Sequence, residues 1–88
     1  MTERQIHYHQ RRQVILMCLA LGYSHDEISQ VIQMSLDAIK KTCSRISRRC
    51  GSSSTAMTIA IALAVGLIPN PYDSEGNIRQ EVVDNYLE

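Results

Sequence analysis

The sequence predicts an all-α domain of four helices, the second and third joined by a very short turn, with a short extra helix in a C-terminal tail. Three observations carry this. Apolar residues recur at i, i+3, i+4 spacing in four successive segments. Serine cap signals stand at 24 and 35, and glycines at 22, 51 and 66 close the segments between them. The charge is also divided. Residues 1–69 carry eight Lys/Arg against four Asp/Glu, net +4, and residues 70–88 carry one Arg against five Asp/Glu, net −4, so a formal total of zero hides a basic body and an acidic tail.

Thr2 with Gln5 has the form of a capping box, so the first helix is expected from Glu3 to Leu21, stopped by Gly22. Ile15, Leu16, Leu19 and Ala20 form one apolar face. Val14, Met17, Cys18 and Leu21 form a second. A helix apolar on two faces is buried on both or offered to a partner.

Ser24 with Glu27 three positions on is a second capping box, and it opens a helix of about eight residues whose Ile28, Val31 and Ile32 are expected to point inward. Ser35 caps the third helix, which runs through Leu36, Ile39, Cys43 and Ile46 to Cys50 and ends at Gly51. Only Gln33 and Met34 separate the two, and a gap that short makes the helices cross steeply, as in a helix-turn-helix. Away from its apolar stripe the third helix carries Lys40, Lys41, Ser44, Arg45, Arg48 and Arg49, with no acid after Asp37. Cations near a helix C-terminus also suit the dipole of an ordinary solvated helix. Set at a steep angle and joined by small polar residues, however, such a face fits the major groove of duplex DNA. His25, at the start of the second helix, is counted with this expected DNA-binding set.

The stretch "GSSSTAMTIAIALAVGLI" predicts a fourth helix capped within Ser53 to Thr55 and ended by Gly66. Ile59, Ala62, Leu63 and Val65 are expected to close the core. Met57, Ala60, Ile61 and Ala64 leave a second apolar surface of mostly small side chains, suited to a dimer contact or to packing within the chain. The run from 56 to 68 is 13 residues long, short of the roughly 18–20 needed to span a bilayer, so no membrane partner is expected.

In the tail, "LIPNPYDSEG" breaks regular structure and Asn77 is placed to cap a last helix with Ile78, Val82 and Tyr86 at four-residue intervals and Val83 and Leu87 beside them. At that length it needs a surface to pack on. The stripe Val14, Met17, Cys18 and Leu21 is a docking surface either for this tail, in its own chain or a dimer partner's, or for a second regulatory protein.

Cys18, Cys43 and Cys50 are an odd number at spacings that suit neither a disulfide framework nor closely paired zinc ligands, and His7, His9 and His25 do not supply the missing pairs. No metal or cofactor is expected. The serines sit at caps and turns, so catalysis is not expected either.

From Tyr8 to Ile68 the chain resembles the DNA-binding domain of LuxR-type transcriptional regulators, shared with NarL-type response regulators. Gly22, Glu27, Ile28, Ser35, Ile39, Lys40, Ile46, Gly51 and the closing Gly66-Leu67-Ile68 stand in unbroken register with that family's pattern. The resemblance implies a four-helix domain over residues 1–69 that binds double-stranded DNA as a homodimer in the bacterial cytoplasm. Its third helix would enter the major groove and its fourth would pair across a two-fold axis. It implies base or nearby phosphate contacts for Lys40, Lys41 and Ser44, and backbone contacts for Ser24, Ser35 and Arg45. The chain departs from the family at Arg12 and Val14, where acids are usual, and at Thr42, Cys50 and Thr55. Only seven residues stand ahead of Tyr8 in this sequence, so control is expected from expression level, a partner or the short additions. The competing reading keeps the fold and makes the chain a small accessory or anti-activator protein that binds another regulator or RNA polymerase through apolar helix surfaces.

Overall fold

The structure, a computed structural model, describes residues 3–87, with side chains from Arg11 onward. The expected capping box of Thr2 with Gln5, and the side chains of His7 and His9, lie outside the described residues. Five helices follow one another: α1 (Glu3–Ala20), α2 (His25–Ile32), α3 (Leu36–Arg49), α4 (Thr55–Ala64) and α5 (Gln80–Leu87). No strand occurs among the described residues, and Tyr72 and Ile78 form one isolated antiparallel bridge.

α1 is the central element. Ile15, Leu16, Met17, Cys18 and Leu19 are all buried, five consecutive positions that span more than a full turn and therefore demand neighbours on every side. Those neighbours are α3, α4 and α5. The second stripe of α1 is thus covered within the chain: Met17 and Cys18 are fully buried, with Val14 and Leu21 half-buried in the same cluster as Val82, Tyr86 and Leu87 of α5. Ile28 from α2, Ile39 and Ile46 from α3, Ala62 from α4 and Ile68 complete the core. Burial pushes the Cys18 thiol up to about 11, which keeps it neutral and poorly nucleophilic.

Four helix ends close in one way. A backbone N–H two or three residues past the helix donates to the carbonyl five positions back: Tyr23 to Cys18 at 3.0 Å, Met34 to Ser29 at 3.3 Å, Ser52 to Ser47 at 2.9 Å and Leu67 to Ala62 at 2.9 Å. The residue before each of these donors adopts the left-handed conformation. In three cases it is glycine, as at Gly22 (φ 87°) and Gly51 (φ 66°); between α2 and α3 it is Gln33 (φ 54°). An L side chain there costs roughly 1–2 kcal/mol.

Several expectations are corrected. Val31 is 45% exposed rather than inward, because the short α2 packs on α3 through Ile28, and Val65, expected in the core, is 66% exposed beyond the last turn of α4. The final helix begins at Gln80, not after Asn77. Asp73 explains this: its carboxylate accepts the backbone N–H groups of Glu75 (2.8 Å) and Asn77 (2.9 Å), and the Asn77 carbonyl accepts from the Asp73 N–H at 2.8 Å. Asn77 therefore belongs to a closed loop, with Pro71 buried beneath it and Ile78 left 54% exposed. These bonds hold the Asp73 carboxyl below its ordinary range, led by the amide of Asn77.

Two outcomes follow from this packing. Gln33→Gly removes the left-handed penalty at some entropic cost, so a net gain of roughly 0.5–1 kcal/mol is expected, or roughly 2–8 °C in a thermal unfolding curve. Gln33→Val should lower the midpoint. A chain ending at Pro69, with Cys43→Ala and Cys50→Ala so that Cys18 is the one remaining thiol, should unfold earlier and react with a thiol reagent at least tenfold faster than its full-length counterpart. Equal labelling rates would show that α5 does not shield α1.

Candidate nucleic-acid interface

The site is built on two helix starts. At α2, Ser24 Oγ accepts from the Glu27 N–H (3.1 Å) while Glu27 Oε1 accepts from the Ser24 N–H (3.0 Å), closing the capping box. At α3, Ser35 Oγ accepts from the Ala38 N–H at 3.1 Å. Both serines are exposed, and each cap uses the hydroxyl as acceptor, leaving its proton available to donate outward. Capping and phosphate contact are therefore compatible at the same side chain. The Ser24 backbone N–H holds the Glu27 carboxyl below its ordinary range. Because the folded pKa lies below the unfolded one, the box contributes above the ordinary glutamate range and is lost as pH falls through the folded pKa.

Between the two helices the Ser29 hydroxyl donates to the Met34 carbonyl in a short hydrogen bond, while the Met34 N–H returns to the Ser29 carbonyl. One residue thus grips both sides of the turn.

Along α3 the side chains sort by angle. At 3.6 residues per turn, Ile39, Ile46 and Cys43 face the core, and Lys41 and Arg48 lie opposite, on the outward crest. Lys40 and Ser44 slope to one side, Arg45 and Arg49 to the other. All six are exposed, and Lys40, Lys41, Ser44, Arg45 and Arg48 border one continuous hollow. Lys41 pairs with Asp37 at 3.1 Å, but both are largely exposed, so the pair is weak and a phosphate can displace it. Burial raises the thiol pKa of Cys43.

On the Lys40 side a wider groove joins α3 to the starts of two other helices. His25, Lys40, Ser44 and Arg48 line it with the serine loop from Ser52 to Thr55. Ser54 caps α4, accepting from the Met57 N–H at 3.1 Å. Helix N-termini favour anions through their unpaired N–H groups and dipole. The starts of α2 and α4 therefore add to the lysine and arginine charge on this side.

Thr58 places that loop, and the sequence reading did not single it out. Buried at 2% exposure, its Oγ1 lies 2.9 Å from Ser47 Oγ, Ser52 Oγ and the Ser54 carbonyl. It ties the last turn of α3 to the first turn of α4. The available signal was a lone hydroxyl inside the apolar run "AMTIAIALAV", which a buried helix tolerates only with a partner.

Met57, Ala60 and Ala64 are exposed on α4 and Ile61 is half-buried. Val14, Met17, Cys18 and Leu21 belong to the core cluster that also holds Val82, Tyr86 and Leu87 of α5. The three cysteines are free thiols, and among the described residues no three His, Cys, Asp or Glu side chains gather as a metal cluster. Among the same residues no helix is long and apolar enough to cross a membrane.

Compared with known proteins, residues 9–50 match the family model described as sigma-70, region 4. The match runs from within α1 through the end of α3 and stops before α4. No curated protein and no solved structure matches the chain. The family match and the geometry agree on one conclusion: this is an all-α helix-turn-helix DNA-binding domain.

Proposed function

We infer that the chain is a non-enzymatic, sequence-specific transcriptional regulator that binds double-stranded DNA as a homodimer, in the manner of LuxR-type domains. One observation carries the reading. The outward crest of α3 is a continuous exposed surface of Lys40, Lys41, Ser44, Arg45 and Arg48, rigidly set by a capped turn and flanked by the capped starts of α2 and α4. Such a surface offers point charges and small donors to base edges at its centre and helix N-termini to phosphates at its margin. The exposed Met57, Ala60 and Ala64, with Ile61 beside them, support pairing through α4, since small side chains allow close approach of two helices. The LuxR-type resemblance supports a bacterial, cytoplasmic setting.

A second reading rests on the match to sigma-70, region 4, and on the exposed Met57, Val65 and Leu67. Here the same fold serves as an accessory or anti-activator protein, docking on another regulator or on RNA polymerase through its apolar helix surface.

The two separate by salt and by one side chain. A DNA-binding dimer with about six to ten phosphate contacts should lose roughly three to five decades of affinity for a random duplex between about 50 and 200 mM salt. Lys40→Ala should weaken duplex binding roughly tenfold and reduce the slope of log K against log salt by about 0.9 per protomer. Tight, salt-insensitive association with a protein, unaltered by Lys40→Ala, would instead support the second reading.

A further inference from the structure

The crest of α3 has a second margin. Opposite the serine loop, α3 and α1 enclose a groove of about 320 Å³ whose walls carry Arg11 and Arg12 from α1 and Arg45, Arg48 and Arg49 from α3. Its floor is formed in part by buried Ile46 and by Thr42, whose hydroxyl is turned back to the Ala38 carbonyl at 2.8 Å. Among the described residues no carboxylate lines it.

Five arginines border this one groove, so like charge gathered along its two walls raises the local positive potential. Guanidinium presents a planar fork of donors that matches phosphate oxygens two at a time. With arginines on both walls, the groove fits a passing strand of phosphates. Continuity identifies its source. Arg45 and Arg48 border both this groove and the hollow on the α3 crest, so an anion in the groove and a duplex on the crest would share those two side chains.

We propose that the α1–α3 groove is a second phosphate-backbone site, gripping the DNA strand on the side of α3 opposite the serine loop. The inference rests on the DNA-binding reading above and extends it to α1, whose arginines that reading does not use. The duplex is then held at both margins of the recognition helix: by helix N-termini and Lys40 on one strand, and by Arg11, Arg12, Arg45 and Arg49 on the other.

The test is fluorescence anisotropy of a labelled random duplex of about 20 base pairs, titrated across a salt series with wild type, Arg11→Gln/Arg49→Gln and Arg11→Lys/Arg49→Lys. Two lost phosphate contacts at about 0.9 each should flatten the slope of log K against log salt by about 1.8 per protomer. The lysine variant should stay near wild type, since charge is kept, and thermal unfolding of the glutamine variant should be unchanged because Arg11 and Arg49 are exposed. A wild-type slope in the glutamine variant overturns the proposal while leaving DNA binding by the crest in place. If that variant has instead lost binding to a poly-glutamate peptide that wild type captures, the groove belongs to an acidic protein segment, which also overturns it. A wild type that fails to bind the duplex at low salt removes the DNA-binding reading, and this inference with it.

Discussion

The turn between α2 and α3 is the constraint on which the rest of the molecule depends. Ser29 closes it from both sides, with its hydroxyl on the Met34 carbonyl and its own carbonyl receiving the Met34 N–H, while Gln33 accepts a left-handed backbone to make the reversal. Ser35 then starts α3 at once. With no slack in the linker, the crossing angle is set locally. Burial of Ile28 beside Ile39 and Ile46 fixes the roll of α3, so its cations can point only outward.

From that geometry α3 acquires a crest and two margins, each completed by a different neighbour. Thr58 draws the start of α4 against the last turn of α3 and so brings the serine loop to one margin. α1 supplies Arg11 and Arg12 to the other. A helix carrying this much like charge would repel itself if packed into a core. Here its apolar stripe is narrow, and the cations are spread over the remaining faces, where solvent or a polyanion can meet them.

Much of this was legible in local sequence chemistry. Caps and stops depend on a few adjacent residues, and Ser24 with Glu27, Ser35, Gly22 and Gly51 act in the structure as their types imply. Periodicity gave the core faces of α1 and α3 for the same reason. What could not be read depends on distant elements. Val31 and Val65 look like core residues by spacing, and they are exposed because the described elements leave them uncovered. The delayed start of α5 comes from the Asp73 loop, whose hydrogen bonds compete with helix at Asn77. Gln33 gave no signal as a left-handed residue, since glutamine is not a turn former. The arginine groove unites residues more than thirty positions apart in the chain, and only packing of α1 on α3 brings them together.

Where duplex DNA meets this fold is read most directly by a two-dimensional amide NMR titration of the isotopically labelled protein with a random duplex of about 20 base pairs at low salt. The largest shifts are expected at residues 24–26, along α3 from Leu36 to Arg49, and in the serine loop 52–55, with α5 silent. Shifts concentrated in α5 or on the apolar face of α4, with α3 unmoved, would contradict it.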